Sequence, residues 1–151
     1  MSASNAFETS LLTLIYNNTN IAGIGDATGL RGSTAAGSLY VSLHTSDPGE
    51  AGTQATSETA YTNYARVAVV RTAAGWTIAG NTVSNAAVVS FPAGGATGST
   101  IGFFGVGTDA TGVGNLLFKG AIAVAGGGAT LAVSSGITPS FAIGALTNVA
   151  D

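Results

Sequence analysis

The chain has 151 residues, which suits one domain over residues 1–151, and it contains no cysteine, which excludes thiol catalysis, disulfides and cysteine-ligated zinc. Charged residues make up 7% of the chain, compared with about 25% in typical soluble domains, and the formal net charge is −3. Lysine and arginine number only 4, which argues against nucleic acid as a partner because phosphate contacts need clustered cations.

The scarcity of charge predicts a subunit of a larger assembly. A free monomer usually stays soluble through a mixed, charged surface, whereas a surface of small uncharged residues indicates extensive contact with other protein. The alternative is an uncharged β surface that hydroxyl groups keep soluble. No apolar run reaches membrane-spanning length and the N-terminus lacks the pattern of a signal peptide, so we expect synthesis in the cytoplasm and no membrane partner.

A helix is predicted over residues 5–16. Four apolar side chains recur there at the i, i+4, i+7, i+8 spacing of one helical stripe: Phe7, Leu11, Leu14 and Ile15. Asn5 followed by Glu8 resembles a capping box, and the asparagines that begin at Asn17 stop the helix. The stripe either closes the core of its own domain or docks on a neighbouring subunit.

An extended loop is predicted over residues 17–38 and a β-sandwich over residues 39–147. The sandwich has about seven or eight short strands, separated by turn signals every 8–12 residues. The predicted strands cover residues 39–44, 64–71, 75–78, 82–91, 100–106, 115–124, 129–134 and 137–146. Because they do not alternate with helices, the fold class is all-β and mainly antiparallel, with the jelly roll and other sandwich topologies left open.

Residues that carry chemistry are few. His44, the single histidine, ends the first predicted strand, and Asp47 and Glu50 follow in and beside an Asp-Pro-Gly turn. Such a set is chemically acceptable for a metal, but Asp47 is better explained as capping its own turn. With no nucleophile elbow or phosphate-binding loop, we predict no catalytic, cofactor-binding or metal-binding residues, no cofactor and no enzyme activity. An enzyme centred on His44 stays an alternative.

Aromatic residues provide a second alternative, a receptor-binding or glycan-binding module. Such a module needs exposed aromatic side chains with polar neighbours, and Tyr61, Tyr64 and Trp76 are the candidates. The favoured interpretation is that Tyr64 starts a strand and Trp76 packs in the core.

Three segments resemble a family of small structural proteins of tailed phages. Residues 39–50 contain a strand followed by His-Thr-Ser-Asp-Pro-Gly, residues 61–67 read Tyr-Thr-Asn-Tyr-Ala-Arg-Val, and residues 81–92 end in Phe-Pro. Members are labelled tail fibre protein or virion structural protein, and the resemblance covers about residues 39–146. It implies a virion component and no catalytic residues.

Within that resemblance, a short domain with an apolar N-terminal helix favours a capsid decoration, or cement, subunit, and a tail or tail-fibre component is the alternative. We expect a homo-oligomer, a dimer or a trimer, that binds other virion proteins such as the major capsid protein or tail proteins through uncharged surface. The candidate interface residues are Phe7, Leu11, Leu14, Ile15, His44, Asp47 and Glu50.

Overall fold

The computed structural model describes residues 3–150, so residues 1, 2 and 151 at the ends of the predicted domain lie outside the described range. Within that range are one helix, α1 (Asn5–Asn17), and eleven strands. The strands are β1 (Ser38–His44), β2 (Val67–Val70), β3 (Trp76–Ala79), β4 (Thr82–Asn85), β5 (Val89–Ser90), β6 (Ser99–Ile101), β7 (Phe103–Gly107), β8 (Leu116–Ala121), β9 (Leu131–Val133), β10 (Ser140–Phe141) and β11 (Thr147–Val149). No helix among the described residues is long and apolar enough to cross a membrane.

The all-β class with a single N-terminal helix is confirmed, and the small antiparallel sheets are consistent with the predicted sandwich. The strands are shorter and more numerous than predicted. The predicted strand over 82–91 is divided into β4 and β5, and the one over 100–106 into β6 and β7 at Gly102. β11 was not predicted and extends past the expected sandwich boundary at residue 147.

The chain forms two compact units that interleave along the sequence. The first contains the described residues up to Ser38, then Val69–Val89, and those from Phe141 onward. The second contains Leu39–Ala68 and Ser90–Ser140. The single domain over residues 1–151 stays a prediction.

The first unit packs α1 against a three-stranded antiparallel sheet in the order β11-β4-β3. Leu12 and Tyr16 of the helix are buried, and the ring of Tyr16 meets Trp76 of β3 edge to face with centroids 4.7 Å apart. The side-chain amide of Asn148 on β11 donates to the Tyr16 hydroxyl at 2.7 Å. Aromatic packing and this hydrogen bond therefore join the helix to both outer strands.

Residues at both ends of α1 explain where it starts and stops. The hydroxyl of Ser4 accepts a hydrogen bond from the Phe7 N–H, so the N-cap is Ser4 and the predicted cap at Asn5 was wrong by one residue. Asn18 adopts the left-handed conformation with φ of 54° and its N–H bonds to the carbonyl of Thr13. An asparagine tolerates this conformation better than most residues, and the predicted stop is confirmed.

The helix buries a different face from the predicted apolar stripe. Its buried side chains are Glu8, Leu12 and Tyr16, spaced four residues apart. Phe7 of the stripe is 42% exposed, while the other three members, Leu11, Leu14 and Ile15, are half-buried. The stripe is thus partly open to solvent in this chain.

The second unit is organised around a four-stranded sheet in the order β2-β1-β7-β8, in which β7 is antiparallel to both β1 and β8. Val41 and Leu43 of β1 are buried as its alternation predicts, but Ser42 and His44 are buried as well. β1 is therefore covered on both faces. Gly105 of β7 lies beside them, and a Cβ there would come within 2.8 Å of the His44 ring, so the absence of a side chain at this position leaves room for the ring.

Two small sheets complete the strand pairing. β6 and β9 are antiparallel, with Ser99 opposite Val133 and Ile101 opposite Leu131. β5 and β10 form the other two-stranded sheet. Strands of two or three residues are held by few ladder bonds, so the surrounding loops need other hydrogen bonds to fix them.

Candidate functional site

His44 lies at the centre of a buried polar network in the second unit. It is 0% exposed, and its Nδ1 and Nε2 atoms lie 2.8 Å from the carbonyl oxygen of Thr56 and 2.8 Å from the hydroxyl of Ser42. A carbonyl only accepts, so Nδ1 carries the proton and Nε2 accepts from Ser42. Both ring nitrogens are engaged, and the His44 side chain does not reach the surface where a predicted interface residue would act.

Asp47 and Glu50, the other predicted residues of this segment, both pair with Lys119. The Lys119 Nζ atom is 3.0 Å from Asp47 Oδ1 and 3.3 Å from Glu50 Oε1. Asp47 also accepts the N–H of Gly49 at 2.8 Å, which confirms its predicted role in its own turn. Within residues 3–150 no group of three or more His, Asp or Glu residues is placed to hold a metal. His44, Asp47 and Glu50 are therefore not brought together as the ligands of a metal site.

Glu58 and Arg66 form a shielded ion pair that the sequence did not reveal. The Nε and Nη2 atoms of Arg66 donate to the two Glu58 oxygens at 2.7 and 2.8 Å. Arg66 also donates to the carbonyls of Asp109 and Gly112 at 2.9 and 2.7 Å. The Tyr64 hydroxyl donates to Glu58 at 2.7 Å. The pair therefore ties residues 58–66 to the turn after β7.

The side chain of Gln54 makes a second hydrogen-bonded link to the turn after β7. Its side chain is 0% exposed, its amide nitrogen donates to the Tyr40 carbonyl at 3.3 Å, and its amide oxygen accepts the Asp109 N–H at 2.9 Å. A Cβ at Gly107 or Gly114 would collide with the Gln54 side chain. Glycine at these two positions therefore leaves the room that the Gln54 side chain occupies. In a chain with so few charges, the isolated Glu58 and Arg66 were the available signal for this network.

The aromatic residues considered for a receptor-binding or glycan-binding site are mostly buried. Trp76 and Tyr61 are 1% and 2% exposed, which confirms the core interpretation for Trp76 and removes both as exposed platforms for a glycan. Tyr64 is half-buried and lines a cleft of about 250 Å³ with Glu58 and Arg66. The polar atoms of those two residues are bonded to each other there, so little of their hydrogen-bonding capacity is left for a sugar.

Burial of His44 has a measurable consequence for stability. Burial is the largest cause that lowers the pKa of His44 from 6.5, with the Thr56 carbonyl acting in the opposite direction. The unfolded chain therefore binds a proton at a higher pH than the folded chain, and stability is complete above pH 6.5 and falls as the pH drops towards the folded pKa. We expect wild-type protein to lose stability as the pH falls below about 6.5, by at most about 1.4 kcal/mol per pH unit.

A His44→Gln variant isolates this effect. Its free energy of unfolding, measured by urea titration, should be lower than that of the wild type at pH 7 but should change less with pH in the range just below 6.5. The depressed pKa values of Asp26 and Asp47 place their titration at lower pH, outside this window. Parallel curves for the two proteins would contradict the assignment.

The fold places the chain in the class of all-β proteins with one N-terminal helix. Buried polar side chains, among them His44 and Gln54, hold its loops in place.

Residues 2–148 match the family model described as podophage GP4 fiber I protein gp80, and the chain belongs to this family. It is a phage virion structural protein whose family is labelled as fibre, so the predicted resemblance is confirmed. A search of curated proteins found no match.

Proposed function

We propose that this protein is a structural subunit of the phage fibre, without enzyme activity, that is held in the virion by contacts with other virion proteins. The observation that carries the proposal is the family match, which covers residues 2–148 and describes a fibre protein. Because the match spans almost the whole chain, the proposed fibre role includes both compact units.

The surface chemistry supports incorporation into an assembly. Only 7% of the residues are charged, and the Phe7 ring is 42% exposed beside three half-buried members of its helical stripe. Permanent interfaces are depleted in charge and enriched in apolar and aromatic contact. This stripe is accordingly our candidate for contact with a neighbouring virion protein.

The cations of the chain support protein partners over nucleic acid. Arg66, Arg71 and Lys119 all have hydrogen bonds to groups of this same chain. Arg31 is exposed but stands apart in the sequence from other cations. Binding to phosphates needs several clustered cations, and this distribution does not supply them.

A capsid decoration subunit is the second candidate, because the low charge of the chain suits that role as well. A decoration protein and a fibre subunit both assemble through such a surface, so the location on the particle separates them.

Immunogold electron microscopy of intact virions tests the location. We expect an antibody against the purified chain to place gold on the fibres, with pre-immune serum as the control. Gold over the head would overturn the fibre proposal in favour of decoration. If gold is absent and the chain is also missing from mass spectra of purified virions, the structural role itself is wrong.

A further inference from the structure

Strand β8 is an open edge of the four-stranded sheet. It ends the order β2-β1-β7-β8 and has 6 residues, whereas the other strands that end the larger sheets in the described part of the chain have 3 or 4. The N–H of Ile122 donates to the Gly102 carbonyl on the β7 side. Since bonding alternates along an antiparallel strand, Phe118 and Gly120 also bond towards β7, and Lys119 and Ala121 direct their backbone groups outward.

A cleft beside β8 leaves room for side chains of an added strand. Its volume is about 240 Å³, and it is lined by residues 116–119 on one side and by Gly49, Glu50 and Gly52 on the other. Lys119 and its partner Glu50 both line it. Side chains of an added strand that point to the same face as Lys119 would enter this cleft.

Lysine on an edge strand ordinarily prevents strand addition, because an incoming strand would bury its charge. Here Lys119 has two carboxylates within 3.3 Å, those of Asp47 and Glu50, which neutralise it. The Glu50 side chain is 95% exposed and can accept a second ammonium group. The edge therefore carries both signs of charge and is complementary to itself.

We propose that β8 is an assembly edge and that it pairs antiparallel with β8 of a second copy of this chain about a two-fold axis. Each copy supplies the same outward N–H and C=O groups, and Lys119 of one copy meets the exposed Glu50 of the other. This reciprocity is what an isologous interface requires. The inference rests on the proposed role as an assembled subunit, and purified protein tests it apart from the location on the virion.

Charge also selects the register of the pair. Outward-facing residues must oppose one another, so the registers that pair Lys119 with an outward residue of β8 place it opposite Lys119 or opposite Ala121. The first register places two ammonium groups together, and like charges directly opposite are destabilising. The second register avoids this repulsion and centres the two-fold axis on Gly120, which has no side chain to obstruct close approach.

Sedimentation velocity of the full chain over a concentration series tests the edge. We expect a reversible dimer whose Kd rises at least tenfold in Ala121→Pro, because proline removes an outward N–H and leaves the bonds to β7 intact. Ala121→Ser keeps that N–H and should associate like the wild type, while circular dichroism verifies that both variants fold. A wild-type chain that stays monomeric, or a folded Ala121→Pro that dimerises normally, would overturn the proposal.

Cross-linking tests the register without depending on proline. The chain has no cysteine, so Ala121→Cys and Leu117→Cys each introduce a single thiol and leave Lys119 in place. A short bismaleimide should link Ala121→Cys alone in higher yield than an equal mixture of Ala121→Cys and Leu117→Cys. Equal or higher yield from the mixture would overturn the assigned pairing, because Ala121 lies opposite Leu117 when Lys119 lies opposite Lys119.

Discussion

Replacing Arg66 with methionine is expected to lower the free energy of unfolding by about 3–5 kcal/mol, the usual result of removing one partner of a buried ion pair. The Arg66 side chain is 3% exposed and the Glu58 side chain 17%. Without Arg66, the Glu58 carboxylate keeps the Tyr64 hydroxyl but loses its counter-charge. The carbonyls of Asp109 and Gly112 lose their donor as well.

Urea titration of Arg66→Met measures this loss, and Arg31→Met is the matched control. Arg31 is exposed, so its replacement should change stability by less than about 0.5 kcal/mol. The double variant Glu58→Met/Arg66→Met should be less destabilised than the sum of its single variants, because it leaves no unpaired charge inside. A loss below about 1 kcal/mol for Arg66→Met would contradict the role of the ion pair.

Local sequence signals predicted much of the fold. The alternation over residues 39–44 predicted β1 to within one residue, and the helix predicted over residues 5–16 ends one residue later than expected. Caps, turns and alternation act over a few residues, so they can be read directly from sequence. The asparagines after α1 and the Asp-Pro-Gly turn belong to the same class of signal.

Contacts between distant residues explain the divided strand over 82–91. The buried Asn85 side chain donates to the carbonyls of Ala87 and Ala142, both at 2.8 Å, and accepts the Leu146 N–H at 2.9 Å. These bonds end β4 and fix the segment before β11. Their partners lie up to 61 residues away in the sequence. A prediction from apolar alternation alone could not include these contacts, so it made the strand too long.

The buried face of α1 was also decided by tertiary contact. Apolar residues surround much of this helix, so its spacing permitted more than one core-facing stripe. Tyr16 packs edge to face against Trp76 of β3 and both rings are buried, so this tertiary contact places the face with Tyr16 in the core.

The contacts of the candidate site were likewise not predictable from local sequence patterns. Lys119 lies 72 residues from Asp47, and no local pattern connects them. The sequence predicted Asp47 and Glu50 as exposed interface residues but did not identify the strand edge beside them. That edge follows from the strand order, which periodicity does not determine.

Replacing Arg71 with methionine is expected to lower the free energy of unfolding by about 2–4 kcal/mol, since charged hydrogen bonds at partly buried sites are worth more than neutral ones. The last carbonyls of a helix have no partner within it. Arg71 donates to those of Ile15 and Leu14 at 2.6 and 2.9 Å, and to Ser33 and Ala36 in the following loop. The last turn of α1 has no basic residue, so this distant cation supplies the favourable charge at the negative end of the helix dipole.

Arg71→Lys separates the charge from the shape of the guanidinium group. Lysine keeps the positive charge but cannot reach the four acceptors together, so it should recover less than half of the stability lost in Arg71→Met. Urea titration gives the total change, and hydrogen exchange at the amides of α1 shows whether the helix end opens first. Full recovery by lysine would mean that the dipole interaction alone stabilises this end, and the four directed hydrogen bonds would then contribute little.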